Sequence, residues 1–324
     1  MMLDFSFSFS GSASSDVLYD LIIIGGGPAG LSAGLYAARY KLKTLMIEKA
    51  PVAGGQLTAT EWVENYPGFP EPVLGKKLAK DMEDQARFFG LEIMNENVVS
   101  VNLEGKIKEI VTSSTGWKAK TVLIATGSSP RMLGIPGEQE FSGRGVSYCA
   151  TCDGPFYPNK TVAVIGGGNT AFEESLFIAK YAAKIHIIHR REGFSADPIL
   201  VDRVKANPKI SLIKDTIAEA IHFEEDPRKI LIRNLKTDTA SELIVDGVFV
   251  FIGSNPNTEL FKDQIKLEGG YILTDRDHAT SLAGVWAAGD VQAKTLRQVA
   301  TAVGDGALAA YNIHKYLENQ EMGE

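Results

Sequence analysis

The sequence predicts an α/β fold with two Rossmann-like, three-layer dinucleotide-binding domains. Two observations support this prediction: an apolar strand, a glycine-rich turn and an alanine-containing helix occur in that order in "DLIIIGGGPAGLSAGLYAARY" and again in "TVAVIGGGNTAFEESLFIAKY". The chain of 324 residues, 44% of them hydrophobic, is long enough for two domains of ordinary size.

The charge balance excludes two classes of partner. The chain has 40 acidic and 33 basic residues, which gives a formal net charge of -7. Because phosphate binding relies on clustered Lys and Arg, this balance argues against a nucleic acid or an acidic membrane as partner. No segment approaches the roughly 20 apolar residues that span a bilayer. The sequence therefore favours a soluble enzyme of the cytoplasm.

Residues 1–15 have a composition unlike that of the rest of the chain. Phe and Ser alternate, and Ser, Gly and Ala follow. The segment lacks the basic region and the continuous apolar region of a signal peptide. We therefore expect a disordered N-terminal extension.

The first glycine turn follows the apolar residues 21–24. Gly25, Gly27 and Gly30 match the pattern G-x-G-x-x-G. The first glycine allows a tight turn, the second lets the backbone approach a pyrophosphate, and the third allows close packing of helix on strand. The next strand ends in Glu48, where an acid can accept a hydrogen bond from a ribose hydroxyl. This context predicts a dinucleotide with a free 2′-hydroxyl, such as FAD.

The second glycine turn contains Gly166 and Gly168, with Ala171 in the third position. The strand after it, residues 185–188, ends in His-Arg-Arg and not in an acid. Arginines accommodate the 2′-phosphate of NADP through charge-assisted hydrogen bonds that a carboxylate would oppose. The alternative is a solvated basic strand end. Together the two turns predict that one chain holds FAD and NADPH.

The two cysteines of the chain, Cys149 and Cys152, lie in "YCATCDGPF". A C-x-x-C turn forms a small, reducible disulfide and commonly lowers the pKa of one thiol. A structural zinc site needs four ligands, and the sequence offers no second cysteine pair and no histidines at ligand spacing. A buried, inert pair is the other alternative. Redox chemistry in a reducing compartment is the favoured interpretation.

Several motifs occur in the order found in one enzyme family. They are "GGGPAG", "GGQLTATEWVENYPGFP", "ATGSSPR", "CATCDG", "GGGNTAFEE", "HRREGF", "IGSNPNT", "AAGDV" and "RQVATAVGDGALAA". With these motifs the chain resembles the low-molecular-weight thioredoxin reductases of the pyridine nucleotide-disulfide oxidoreductase class, from about Tyr19 almost to the C-terminus.

The resemblance implies a domain organisation. The FAD-binding domain would be discontinuous, at residues 16–131 and 255–324, and the NADPH-binding domain with the redox disulfide, residues 132–254, would be inserted into it. Linkers near "GSSPRMLGIPG" and "GSNPN" contain the Gly, Ser and Pro expected at such boundaries. The family also implies a homodimer and a hinge motion of the inserted domain.

The resemblance further implies roles for individual residues. Cys152 would lie against the flavin, Cys149 would attack the substrate disulfide, and Asp153 would donate and accept the proton. The matches to FAD contacts are Gly25, Gly27, Pro28, Ala29, Gly30, Glu48, Gly55, Gln56, Leu57, Asn65, Ala125, Thr126, Gly127, Gly289, Asp290, Arg297, Gln298 and Val299. The matches to NADPH contacts are Gly166, Gly168, Asn169, Thr170, His189, Arg190 and Arg191. No metal is expected.

The implied reaction passes electrons from NADPH through FAD and the cysteine pair to thioredoxin or a similar protein disulfide. Three alternatives keep much of the same sequence pattern: a ferredoxin-dependent thioredoxin reductase, a dithiol oxidase that uses oxygen, and a flavin redox sensor without fast turnover. The intact second glycine turn counts against the oxidase.

Ser195 departs from the family pattern, which continues after the paired arginines with Phe, Arg and Ala, where this sequence has Phe194, Ser195 and Ala196. Because Ser195 removes a cation expected near the 2′-phosphate, we predict a weaker preference for NADPH over NADH than typical members show. Ser195→Arg should strengthen this preference, measured as the ratio of kcat/KM for the two nucleotides. A large preference for NADPH that the substitution leaves unchanged would contradict the prediction.

Overall fold

A computed structural model describes residues 13–60, 62–63, 65–224 and 227–323. The strands of these residues are β1 (Ala13–Ile24), β2 (Thr44–Glu48), β3 (Trp62–Val63), β4 (Val73–Leu74), β5 (Glu92–Asn95), β6 (Val98–Asn102), β7 (Lys108–Thr112), β8 (Thr115–Ile124), β9 (Ser128–Pro130), β10 (Val146–Ser147), β11 (Thr161–Gly166), β12 (Lys184–Ile188), β13 (Ile210–Ile213), β14 (Thr216–His222), β15 (Lys229–Asn234), β16 (Thr239–Ile244), β17 (Gly247–Phe251), β18 (Ser254–Pro256), β19 (Leu267–Glu268), β20 (Tyr271–Ile272) and β21 (Val285–Ala287).

The helices of the same residues are α1 (Pro28–Arg39), α2 (Gly75–Phe88), α3 (Ala150–Asp153), α4 (Asn169–Ile178), α5 (Pro198–Ala206) and α6 (Val299–Met322). Short 3-10 segments lie at Gly55–Ala59, Gly154–Phe156 and Gly289–Val291. No described helix combines the length and the apolar character needed to cross a bilayer.

The chain divides into two compact units. The described residues up to Ser128 and from Pro256 onward form the first unit, and residues 129–255 form the second. The second unit is therefore inserted into the first.

A seven-stranded sheet forms the centre of the first unit. Its order is β5-β2-β1-β8-β7-β6, with β21 beside the end of β8. Strands β5, β2, β1, β8 and β21 run parallel, β7 runs antiparallel to β8, and β6 runs antiparallel to β7. Residues 21–24 of β1 are buried because both faces of the sheet are covered. Helices α1 and α6 contribute to the core on one face, and residues such as Trp117 and Phe261 pack on the other.

Helix α6 returns from the C-terminal part of the chain and packs closely on α1. A Cβ atom on Gly306 would lie 2.1 Å from the carbonyl oxygen of Ala29, so the two backbones approach where no side chain fits. The hydroxyl of Ser32 also donates to the carbonyl of Val303 at 2.8 Å. These contacts join the two separate chain segments of the first unit.

The second unit repeats the layered arrangement. Its parallel sheet has the order β10-β17-β11-β12-β13, with α4 and α5 packed on one face. The antiparallel sheet β14-β15-β16 covers the other face. The predicted α/β fold with two Rossmann-like, three-layer domains, the second inserted into the first, is confirmed.

The predicted disordered extension over residues 1–15 is wrong for its last residues. Strand β1 begins at Ala13 and pairs with β8 in the register Ala13 with Thr115 and Ser14 with Gly116. Backbone pairing orders this part although its sequence shows no apolar run. Residues 1–12 lie outside the described residues.

Lys108 is a buried cation that connects distant parts of the first unit. Its side chain belongs to a residue that is only 3% exposed. The ammonium donates to the carbonyl oxygens of Leu103 at 2.9 Å, Gly105 at 2.6 Å and Ala283 at 2.7 Å. Because Ala283 precedes β21, Lys108 holds the returning segment against the antiparallel part of the sheet.

Replacing Lys108 with Met should destabilise the protein. The substitution keeps most of the side-chain volume but removes the donor for three carbonyl groups, which should cost about 2–4 kcal/mol. Urea unfolding measures the loss, and the exposed Lys106→Met is the matched control. Equal stabilities of the two variants would contradict the proposed bracing by Lys108.

Candidate active site

The first glycine turn leaves a space beside the start of α1. Gly25 has φ of +107°, and a Cβ there would lie 2.4 Å from the carbonyl oxygen of Ala125. A Cβ on Gly30 would lie 2.0 Å from the carbonyl oxygen of Gly25. At Gly27, by contrast, a Cβ would meet no described atom within 4 Å. Helix α1 has no side-chain cap, so its backbone N–H groups can bind a phosphate in this space.

Glu48 lies where the sequence predicts a ribose acceptor, at the end of β2. It is 8% exposed, and its two carboxylate oxygens accept from the backbone N–H groups of Gly26 at 2.6 Å and Ala50 at 2.8 Å. These bonds fix the orientation of the carboxylate. Since an ionised carboxylate has about four acceptor positions, Glu48 can still accept from a ribose.

The residues after Gly54 lie against the first glycine turn. A Cβ on Gly55 would lie 3.1 Å from the Cα of Gly27. The amide of Gln56 donates to the hydroxyl of Ser128 at 3.4 Å. Leu57 points elsewhere: its side chain is buried in a small core that includes Leu78. Leu57, like Gly55, can therefore contribute only backbone atoms to a ligand site.

Asn257 holds the segment 125–127 in place. Its side-chain amide donates to the carbonyl of Thr126 at 2.8 Å, and the hydroxyl of Thr126 donates to the carbonyl of Asn257 at 2.8 Å. The backbone N–H of Asn257 also donates to Gly127 at 3.0 Å. Sequence reasoning placed Asn257 in a motif but did not identify it as a site residue.

Asp290 and Arg297 carry buried polar atoms without partners among the described residues. These atoms are Oδ1 of Asp290 and Nε of Arg297. Burial raises the pKa of Asp290, although the charges of Lys294 and Arg297 oppose the rise. The guanidinium of Arg297 lies 4.0 Å from the ring centroid of Tyr271. Buried polar atoms are rarely unpaired, so this part of the first unit fits a polar ligand such as FAD.

Asp305 positions the turn that contains Asp290, and sequence reasoning missed it. One carboxylate oxygen of Asp305 accepts from the backbone N–H of Gly289 at 3.1 Å and from the ammonium of Lys294 at 2.5 Å. Gly289 has φ of +81°, which favours glycine. The only local signal was an acid between two glycines in "GDG".

Asn65 and Gln298 lie together at the start of α6. The amide of Asn65 donates to Oε1 of Gln298 at 3.0 Å. Gln298 and Thr301 form a reciprocal capping box, and Val299 is the first helical residue. Two predicted site residues that are distant in sequence are thus brought into direct contact.

The second glycine turn is also shaped by close backbone approach. A Cβ on Gly166 would lie 2.3 Å from the carbonyl oxygen of Phe251. A Cβ on Gly168 would meet only the hydroxyl of Ser195, at 3.5 Å. Helix α4 starts at Asn169, whose side chain exchanges hydrogen bonds of 2.9 and 2.7 Å with Asp197. The open start of α4 fits a second phosphate ligand.

The predicted NADPH residues after β12 are at the carboxyl edge of the second sheet. Arg190 and Arg191 are exposed, and neither forms an ion pair with a described residue. His189 makes a 3.0 Å hydrogen bond to the carbonyl of Gly193. Burial lowers the pKa of His189 and the two arginines lower it further, although the hydrogen bond to Gly193 opposes the shift. Thr170 is exposed in the first turn of α4.

Cys149 is disulfide-bonded, and the other cysteine of the sequence is Cys152. The backbone N–H of Cys149 donates to the hydroxyl of Ser147 at 3.0 Å, and its carbonyl accepts from the N–H of Asp153 at 3.1 Å. Helix α3 begins directly after Cys149, and Ala150 packs in the same core as α4. The disulfide and the second glycine turn therefore belong to one unit.

Glu138 is a further residue that sequence reasoning missed. It is 1% exposed and accepts from the hydroxyl of Tyr148 at 2.8 Å and from the N–H groups of Leu133 and Gly134. Burial, followed by the bond to Glu138, raises the pKa of Tyr148. The residue before Cys149 is thereby fixed to the segment that enters the second unit.

The described residues contain no group of three His, Cys, Asp or Glu side chains that could hold a metal ion.

Asp290→Asn should separate ligand binding from stability. Without FAD, the neutral amide should raise the free energy of unfolding at pH 7, because it avoids burying an unpaired charge. Since the folded-state pKa is raised, wild-type stability falls as pH rises from the ordinary value of 3.8 through the folded-state pKa. The advantage of the variant should therefore disappear toward low pH. Urea unfolding of the FAD-free wild type and variant, at several pH values between 3.8 and 7, measures this difference in the free energy of unfolding.

The same variant should bind FAD at least about tenfold more weakly, measured by flavin fluorescence titration. The exposed Asp263→Asn is the control for both measurements. A destabilised FAD-free variant, or unchanged affinity for FAD, would contradict this account of Asp290.

Comparison with known proteins supports these observations. The family model for pyridine nucleotide-disulphide oxidoreductases matches residues 19–306. A thioredoxin reductase of Peptoclostridium acidaminophilum is 46% identical over 308 residues, which cover 93% of this chain and 98% of that protein.

Two solved structures have the same fold. The thioredoxin reductase of Lactococcus lactis is 39% identical with a TM-score of 0.90, over 93% of this chain and 99% of that one. The thioredoxin reductase of T. acidophilum is 34% identical with a TM-score of 0.87, over 92% and 98%. The resemblance predicted from the motifs is confirmed, and the chain belongs to the thioredoxin reductases of the pyridine nucleotide-disulphide oxidoreductase family.

Proposed function

We propose that this chain reduces the disulfide of thioredoxin, or of a similar protein, with electrons from NADPH that pass through FAD and the Cys149–Cys152 pair. The observation that carries the proposal is the disulfide at Cys149 in the same unit as a glycine turn followed by two unpaired arginines. Relatives that match nearly the whole chain are named thioredoxin reductases, and they support this assignment.

The first unit is proposed as the FAD-binding domain. The N–H groups at the start of α1 would hold the pyrophosphate in the space beside Gly27, and Glu48 would accept from the adenosine ribose. Asp290 and Arg297 supply the buried polar atoms that need a partner. When bound there, FAD would supply the two-electron chemistry that links NADPH to the disulfide.

The second unit is proposed as the NADPH-binding domain. The start of α4, at Asn169 and Thr170, faces the pyrophosphate through its backbone N–H groups. Arg190 and Arg191 are available for the 2′-phosphate because no described carboxylate pairs with them. This pair of free arginines favours a pyridine nucleotide over ferredoxin as the electron donor.

The cysteine pair carries the exchange with the protein substrate. In the reduced enzyme, the thiolate of Cys149 attacks the substrate disulfide, forms a mixed disulfide and releases one substrate thiolate. Cys152 then attacks Cys149, restores the enzyme disulfide and releases the second substrate thiolate. Asp153 supplies and accepts the proton in these steps. Two electrons move from the enzyme dithiol to the substrate.

A groove beside Asp153 supports a protein substrate. Its volume is about 820 Å³, and Arg144, Lys160 and Asp246 contribute to its lining. Phe156, at its border, is 76% exposed. Exposed aromatic side chains beside a polar groove are typical of protein docking surfaces. A homodimer, a cytoplasmic location and the absence of nucleic-acid or membrane partners complete the proposal.

Cysteine substitutions should separate the two halves of the reaction. In an anaerobic titration, NADPH should bleach the flavin absorbance at about 450 nm in wild type, Cys149→Ser and Cys152→Ser. Thioredoxin reduction should fall by at least about a thousandfold in both variants, because neither can cycle through the disulfide.

Two results would contradict the proposal. One is reduction of the flavin by dithionite but not by NADPH, which would indicate a different donor. The other is thioredoxin reduction by Cys149→Ser at the wild-type rate.

A further inference from the structure

Ser195 is bound to the second glycine turn. Its backbone N–H and its hydroxyl both donate to the carbonyl oxygen of Gly167, at 2.9 and 3.2 Å. Its Oγ lies 3.5 Å from the position of a Cβ on Gly168. A short neutral side chain therefore occupies a place in the wall of the nucleotide site where the family pattern has an arginine.

Lys214 approaches the same place from the neighbouring strand. Strands β12 and β13 run parallel, and the N–H of His189 donates to the carbonyl of Ile213 at 2.9 Å. Lys214 thus follows β13 at the sheet edge where the basic run follows β12. Its ammonium lies 5.3 Å from the ring centroid of Phe194, the residue before Ser195. The ring of His189 also packs on Phe194, with 5.3 Å between centroids.

Lys214 is free to bind an anion. It is exposed, and no described residue forms an ion pair with it. Two acids of the same edge, Glu192 and Asp215, are both bound by Lys236, at 2.8 and 3.1 Å, and a third, Asp197, accepts from the amide of Asn169 at 2.9 Å. Lys236, and then Lys214, hold the pKa of Glu192 below its ordinary value. With those acids paired, Lys214 and the two arginines leave an excess of positive charge at this edge.

We propose that Lys214 supplies the third cation for the 2′-phosphate of NADPH, in place of the arginine that Ser195 replaces, and so determines nucleotide specificity. This inference rests on the proposed function of the second unit as the NADPH-binding domain. A lysine ammonium binds phosphate as a point charge at the end of a flexible stem. Lys214 can therefore bind the phosphate from an adjacent strand, whereas an arginine at position 195 would bind it from the loop.

Lys214→Gln tests this role with the holoenzyme. The KM for NADPH should rise about three- to tenfold, while the KM for NADH and kcat at saturating NADPH stay unchanged. Lys184→Gln is the matched control, because Lys184 is exposed at the opposite end of β12. The same rise in Lys184→Gln, or equal changes for NADPH and NADH in Lys214→Gln, would overturn the proposal.

A rescue experiment tests whether Lys214 and position 195 act on the same phosphate. Ser195→Arg in the Lys214→Gln background should restore a KM for NADPH near or below that of wild type. Failure of the rescue, with the flavin spectrum intact, would show that the two positions do not share a ligand group and would overturn the inference.

A binding measurement keeps this inference separate from the proposed function. Titration of oxidised holoenzyme with 2′,5′-ADP should show about three- to tenfold weaker binding in Lys214→Gln, and titration with 5′-AMP should show no change. If wild type does not reduce thioredoxin, the proposed function fails, but this titration still reports on Lys214. Equal affinity of wild type and variant for 2′,5′-ADP would overturn the role of Lys214 alone.

Discussion

The first unit depends on close backbone approach around one glycine turn. Cβ atoms on Gly25, Gly30 and Gly306 would lie 2.0 to 2.4 Å from carbonyl oxygens of neighbouring segments. These three contacts bring β1, β8, α1 and α6 together, including the helix that returns from the C-terminal part of the chain. A larger residue at any of them would move a whole helix or strand, since a carbonyl oxygen cannot give way alone. The proposed phosphate site and the closure of the unit thus share one constraint.

The same unit carries polar groups that stability alone does not explain. Oδ1 of Asp290 and Nε of Arg297 are buried without a partner among the described residues, which is unfavourable in a ligand-free protein. Asp305 and Lys294 pair with each other beside them, and Asp305 holds the backbone of Gly289. Polar groups that the protein holds in place, next to polar groups without a partner, are expected of a preorganised site. In such a site the protein has ordered its side chains before the ligand binds.

The sequence predicted the features that depend on local patterns. The apolar run 21–24, the two glycine turns and Glu48 are read within short windows, and they correctly indicated the fold class and the family. Long-range hydrogen bonds were not predictable. Asn257 bonds to Thr126 across 131 residues, and such a contact leaves no periodic signal. The start of β1 was missed for the same reason, because pairing with β8 orders residues that have no apolar pattern.

The charge at a nucleotide site depends on which residues lie near it in space and not on how close they are in the sequence. The motif alone shows serine at position 195 and predicts a weaker preference for NADPH, whereas the proposed role of Lys214 predicts that the preference is retained. The parallel register of β12 and β13 places the ends of two strands side by side, so a residue 19 positions later in the sequence reaches the same edge. Electrostatic attraction to a phosphate depends on distance and on competing charges, and here two competing acids, Glu192 and Asp215, are already paired with Lys236. A cation on the adjacent strand can therefore replace one in the loop without altering the glycine turn that we propose holds the rest of the nucleotide.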